Sequence, residues 1–177
     1  MRSVSLVALA LTALVACGSE PTEAPKEEPV KTEAPKAEAP KEEAPKAEAR
    51  AEISNTVVLE ANDMMQFNLK EIHVKAGEPV TLTLKHTGTM AKEAMGHNFV
   101  LLKAGEDVGA FALASASAKD SDFISPDMKD KVIANTTLVG GGESVEITFD
   151  APAAGTYPFL CSFPGHYAMM KGEFIVH

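Results

Sequence analysis

The chain has very little cysteine: Cys17 and Cys161 are the only two in 177 residues. A disulfide framework is therefore excluded, and any folded domain must be held by packing or by a bound metal. A basic excess is missing as well. The formal net charge is −9, and residues 51–177 carry nine basic against sixteen acidic side chains. With no basic stripe, nucleic acid is excluded as a partner class. Long apolar runs are also absent. The stretch from Val4 to Ala16 is too short to cross a bilayer as a stable helix.

What is present begins with that short run. Arg2, the apolar segment and a small residue before a cut make residues 1–16 a secretory signal peptide. The order Leu14-Val15-Ala16-Cys17 resembles the bacterial lipobox, which implies that Cys17 is lipidated and becomes the mature N-terminus. Gly18 in place of an aspartate then directs the expectation towards the outer membrane, on its periplasmic or surface face. From Glu20 to Arg50 the chain is almost entirely Glu, Ala, Pro and Lys, with Glu-Ala-Pro-Lys at 23–26, 33–36, 38–41 and 43–46. Without Ile, Leu or aromatic residues, this segment cannot bury enough surface to offset chain entropy. Its prolines remove helix donors. Residues 17–50 are thus read as a lipidated N-terminus and a disordered, extended tether, reaching roughly 90–100 Å at ~3.1 Å per residue.

Residues 51–177 form the folded domain, and their patterning has mostly a period of two. Val80-Thr81-Leu82-Thr83-Leu84-Lys85 alternates, as does Ser144-Val145-Glu146-Ile147-Thr148-Phe149 after the Gly140-Gly141-Gly142 turn. Phe99–Leu102, Gly172–Val176, Val57–Leu59 and Ile72–Val74 supply further strands. The Ala-rich stretch Asp107–Lys119 lacks proline and predicts one helix. Many short strands and one helical excursion predict a mostly β fold, a Greek-key β-sandwich or barrel.

The chemistry concentrates near the end of the sequence. Cys161 closes the strand Tyr157–Leu160, Pro164 and Gly165 force a turn, and His166, Met169 and Met170 follow. A second imidazole, His97, lies far upstream after Gly96. Thiolate and imidazoles bind both Cu(I) and Cu(II), and a distant thioether favours the reduced ion. Two His, one Cys and a weak axial Met are the donor set of a blue-copper electron-transfer site. Zn(II) would accept such donors too. On proximity alone, either Met169 or Met170 could be the axial group. One closed site leaves no open position for a substrate, so an enzyme is not expected.

These motifs resemble those of azurin, a small bacterial cupredoxin, over essentially all of residues 51–177. The resemblance rests on Met95-Gly96-His97-Asn98, Asn62-Asp63, Met65-Gln66-Phe67, Val132-Ile133-Ala134, Cys161 through His166, and Met170-Lys171-Gly172. Four residues separate Cys161 from His166 and three separate His166 from Met170, the spacing of that family. The resemblance implies a cupredoxin-like fold and one copper ion held by His97, Cys161, His166 and Met170, with a weak contact from the Gly96 carbonyl. It also implies an apolar docking patch of Met65, Met90, Met95, Phe163, Gly165, Ala168 and Met169 around His166. The expected partners are c-type cytochromes or a periplasmic reductase or peroxidase. With the lipobox and spacer, the whole chain resembles the lipid-modified azurins of Neisseria-like bacteria. Two departures stand out: Ile53 occupies the region of the family's N-terminal disulfide, and Phe99 takes the place of its buried Trp. His86 matches a family position near copper, whereas His73 and His177 receive no role beyond packing. Copper buffering without electron transfer, and a surface-interaction role for the repeat segment, are the rival function classes.

Overall fold

A computed structural model describes residues 52–177; the signal peptide, Cys17 and the Glu/Ala/Pro/Lys spacer lie outside the described residues. Among the described residues, nine strands form two sheets. The first has four strands: β1 (Thr56–Asn62), β2 (Gln66–Phe67), β4 (Pro79–His86) and β7 (Ser144–Asp150), in the order β2-β1-β4-β7. The second has five: β3 (Glu71–Val74), β5 (Val100–Leu102), β6 (Val132–Asn135), β8 (Gly155–Leu160) and β9 (Lys171–Val176), in the order β3-β9-β8-β5-β6. The chain passes repeatedly between sheets, so β1 and β4 become parallel neighbours with β3 in the opposite sheet. This is the expected Greek-key sandwich.

The period-two pattern explains which face is buried. Val80, Leu82 and Leu84 on β4 point inward and are fully buried, while Thr81 and Thr83 between them are partly exposed. They meet Leu101, Phe159 and Phe174 of the other sheet, and Phe99 just before β5, in the main core. Val100-Leu101-Leu102 has no alternation because both of its faces are covered. Leu101 faces the main core, and Val100 and Leu102 join a second cluster with Phe111, Ala112, Ile124 and Leu160.

That second cluster lies beneath the helical excursion, which is shorter than the sequence predicts. Instead of one helix over 107–119, helix α2 spans Val108–Ser115, capped by the Asp107 carboxylate accepting from the Ala110 N–H at 2.8 Å. The chain then tightens into i→i+3 turns at Ala116 and Ala118. Asp122 and Phe123 adopt left-handed backbone at φ 52° and 56°, which turns the chain back and buries Phe123 against Phe163, ring centroids 5.1 Å apart. Tertiary packing of one aromatic thus overrides helix propensity. A single helical turn, α1 (Lys92–Met95), precedes Gly96. Among the described residues, no helix is long and apolar enough to cross a membrane.

Strand register collects one set of ends at a single pole. Parallel pairing of Ala61 with His86 places the ends of β1 and β4 together. Pairing of Leu160 with Lys171 brings Cys161 and Met170, the residues just beyond β8 and just before β9, side by side.

Candidate metal centre

Cys161, His166 and Met170 are fixed by a closed loop. The Cys161 N–H donates to the Met170 carbonyl at 2.9 Å, and the N–H groups of Met169 and Met170 both donate to the His166 carbonyl, at 3.0 and 2.8 Å. The reversal depends on Gly165, whose φ of +85° lies in the left-handed region where a side chain costs energy. His97 arrives from the other direction on an isolated antiparallel bridge to Val139. Gly96 before it has no room for a Cβ, which would stand 2.5 Å from the Lys92 carbonyl and 3.2 Å from Phe163 Cδ2.

Sulfur and both imidazoles converge. Cys161 Sγ lies 3.8 Å from His97 Nδ1 and 3.7 Å from His166 Nδ1, and the three side chains form a buried group with metal-ligand geometry. His97 Nε2 is 3.0 Å from the Asn62 carbonyl, which can only accept, so Nε2 carries the proton and Nδ1 presents a lone pair. An ion at ~2.3 Å from sulfur and ~2.0 Å from nitrogen, values seen for zinc, gives a sulfur–nitrogen separation of about 3.7 Å at trigonal angles. Both sulfur–nitrogen separations therefore match a trigonal thiolate–diimidazole arrangement, the one that type 1 copper takes. Met170 is fully buried beside them.

Electrostatics in the metal-free pocket follow from burial. Desolvation lowers both ligand histidines from 6.5 to about 4, with the nearby His86 adding to the effect, so both rings are neutral at pH 7. Burial pushes the Cys161 thiol up to about 12, opposed by N–H groups of Asn98 and Phe163 directed at the sulfur. An arriving cation must displace that proton.

The surrounding shell holds the ligands in place. The Asn98 side chain bridges three segments: its oxygen accepts from Ser162 N–H at 2.8 Å, and its amide donates to Ser162 Oγ at 2.9 Å and to the Asp122 carbonyl at 2.7 Å. His86 is fully buried, 3.1 Å from the Asp63 carboxylate through Nε2, with its ring packed edge-on to His97 at a centroid distance of 4.5 Å. Asp63 also accepts from the Thr89 and Met90 N–H groups, which lower its pKa. Asp63 and the Asn62 carbonyl act through contacts that residue type does not reveal. Their one signal in the sequence is the Asn62-Asp63 pair itself.

The surface residues singled out by sequence take varied positions. Met90 and Met169 are exposed at 40% and 51%, Gly165 and Ala168 are exposed, and Met65, Met95 and Phe163 are half-buried. His166 keeps only 4% of its surface, with the Phe163 ring 4.6 Å from its own. Met64, which the sequence reading passed over, is exposed at 65%. Of the two departures from the azurin pattern, Ile53 is 48% exposed and Phe99 is fully buried. Phe99 packs 5.5 Å from Phe159.

Comparison with known proteins agrees with this geometry. Residues 53–177 match the model for copper binding proteins of the plastocyanin/azurin family. Azurin-1 of Alcaligenes xylosoxydans xylosoxydans is 46% identical over 121 residues, covering 66% of this chain and 93% of that protein. Outer membrane protein H.8 of Neisseria meningitidis serogroup B is 48% identical over 118 residues, covering 65% of this chain. The match spans 63% of the H.8 protein, less than two thirds of its length. The crystal structure of dithionite-reduced auracyanin from Roseiflexus castenholzii superposes with a TM-score of 0.64 at 39% identity, covering 71% of this chain and 99% of auracyanin. A thiolate and two imidazoles at the pole of a Greek-key sandwich, matched along the whole described domain, make this chain a member of the plastocyanin/azurin family of copper-binding cupredoxins.

Proposed function

We propose that the protein is a membrane-anchored type 1 copper protein that carries single electrons between redox partners and is not an enzyme. The observation that carries this reading is the buried, already convergent Cys161–His97–His166 set, at 3.7 and 3.8 Å from sulfur to nitrogen. Bound copper would supply a one-electron couple between Cu(I) and Cu(II). The chain's own contribution is to keep the donors still. Met170 and the Gly96 carbonyl would add weaker contacts to the ion beside Cys161, His97 and His166. The closed loop and the Asn98 bridge then hold one geometry for both oxidation states. N–H groups of Asn98 and Phe163 at the sulfur draw density from the thiolate, which favours the reduced state. Burial leaves no open position for a substrate.

Electrons would enter and leave through the His166 edge. Met65, Met90, Met95, Phe163, Gly165, Ala168 and Met169 form a soft, weakly polar rim there. Such a surface suits brief docking, at the small end of interface sizes, with c-type cytochromes or a periplasmic reductase or peroxidase. Lipid on Cys17 would hold the domain to the cell envelope, in the outer membrane, with residues 18–50 as tether. Each buried CH₂ contributes ~0.8 kcal/mol, so two or more acyl chains anchor stably. Tethering raises effective concentration near membrane partners. Support for the location is the H.8 outer membrane protein's similarity and the lipobox-like Leu14–Cys17. The test is His166→Gly in copper-loaded protein. Partner electron-transfer rates should fall while the blue absorption persists with added imidazole; unchanged rates would refute the exit route.

A further inference from the structure

Two consecutive residues of the helical excursion, Asp122 and Phe123, hold left-handed backbone at φ 52° and 56°. Aspartate tolerates that conformation. A bulky aromatic there is strained and persists only where its surroundings over-determine it. The neighbouring backbone does so. Phe123 N–H donates to the Ala118 carbonyl and Ile124 N–H to the Ser121 carbonyl, both at 2.9 Å. Ser125 N–H donates to Oγ of the buried Ser115 at 3.1 Å.

This turn makes three contacts, and each leads to a copper-ligand segment. The Asp122 carbonyl accepts from the Asn98 side chain at 2.7 Å. Asn98 directly follows His97, and its other side-chain bonds hold Ser162, the residue after Cys161. The Asp122 side chain accepts from Leu138 N–H at 3.0 Å. The next residue, Val139, exchanges two backbone bonds with His97, at 2.8 and 3.0 Å. The Phe123 ring stands edge-on to Phe163 with centroids 5.1 Å apart, and Phe163 in turn lies 4.6 Å from the His166 ring. The N–H groups directed at the Cys161 sulfur belong to Asn98 and Phe163. The turn therefore touches both residues that donate to the sulfur.

We propose that Asp122 and Phe123 are positioning residues for the copper centre, whose left-handed turn fixes the Asn98 and Phe163 N–H groups against the Cys161 sulfur and so sets the reduction potential. This rests on the type 1 copper reading above. Neither residue is a ligand; both act through Asn98, Leu138 and Phe163. N–H donors at a metal-bound thiolate stabilise the charge on sulfur, which is greater when the ion is reduced. Holding both donors close therefore favours Cu(I) and raises the potential. A turn free to relax lets them drift from the sulfur, and the potential falls.

The test uses the full chain, copper-loaded and metal-free, as wild type and as Asp122→Ala, Asp122→Asn and Phe123→Leu. Alanine removes the acceptor for Leu138 N–H. Asparagine keeps an acceptor oxygen and tolerates left-handed backbone, and leucine keeps apolar bulk without the ring. Copper-loaded Asp122→Ala and Phe123→Leu should show a lower reduction potential and altered copper hyperfine splitting, and Asp122→Asn should restore both. In the metal-free protein, amide exchange at Asn98, Ser162 and Phe163 should quicken roughly tenfold or more relative to the β4 amides in the first two variants. An unchanged potential in both, or exchange that quickens only in step with β4, overturns the proposal. So does Asp122→Asn behaving like Asp122→Ala, which would assign the effect to charge. A wild type without the blue band refutes the type 1 reading and this proposal together, whereas a blue wild type with insensitive variants refutes the proposal alone.

Discussion

His97 and His166 are neutral at pH 7 because burial holds their pKa at about 4 instead of 6.5. Cys161 keeps its proton because burial raises it to about 12. Between those limits, copper uptake should release roughly one proton per ion, from sulfur alone. A pH-stat titration at pH 7 checks this; release of two or more would mean that an imidazole is protonated too. The same shifts fix how metal-free protein responds to acid. The unfolded chain takes up imidazole protons near 6.5, before the folded one does near 4. Stability is therefore full above 6.5 and falls as pH drops towards about 4. Thermal melts of the metal-free protein across that window should show the decline. Bound metal, by occupying both Nδ1 atoms, should move it to lower pH. Asn98→Ala should be costly as well, because it leaves the Ser162 N–H and the Asp122 carbonyl unpaired. At ~1–3 kcal/mol per orphan, denaturant unfolding should show a loss of about 2–6 kcal/mol. At this scale the donors Cys161, His166 and His97 were legible because few residue types bind copper and their spacing is distinctive. The Asn62 carbonyl was not, since a backbone acceptor leaves no mark on residue type.

Among the elements, the ligand loop and the strand β9 that follows it each depend on one glycine, for different reasons. Gly165→Ala meets nothing within 4 Å but must hold φ near +85°. Its cost should be ~1–2 kcal/mol, with copper retained. Gly172→Ala would drive a Cβ into the Lys70 carbonyl and the Phe159 ring, where backbone must move. It should be the more damaging of the two, with a lower yield of copper-loaded protein as the readout. Lys70 adds to this region by donating from Nζ to the Met169 carbonyl at 2.7 Å. Strands β4 and β7 could be read from period-two alternation, since one face of each meets the core. Helix α2 could be read only in part. Nothing in Ala116–Lys119 forbids a helix, and the chain leaves it because Phe123 is buried against Phe163, a contact 40 residues distant in sequence.

For the whole molecule, the fold brings the ends of several strands and loops to one pole and leaves the donors waiting there. The proposed lipid anchor is tested at this scale too. Cys17→Ser protein should move from the membrane fraction to the soluble fraction with its copper centre intact; retention in the membrane would count against the anchor. Everything proposed for the molecule rests on Cys161, with His97 and His166, forming a type 1 copper site. The most direct measurement is visible absorption and EPR of the Cu(II)-loaded chain, with Cys161→Ser as control. An intense blue thiolate-to-copper band and narrow copper hyperfine splitting are expected, both lost in the control. A pale, tetragonal spectrum, or one that survives Cys161→Ser, would contradict it.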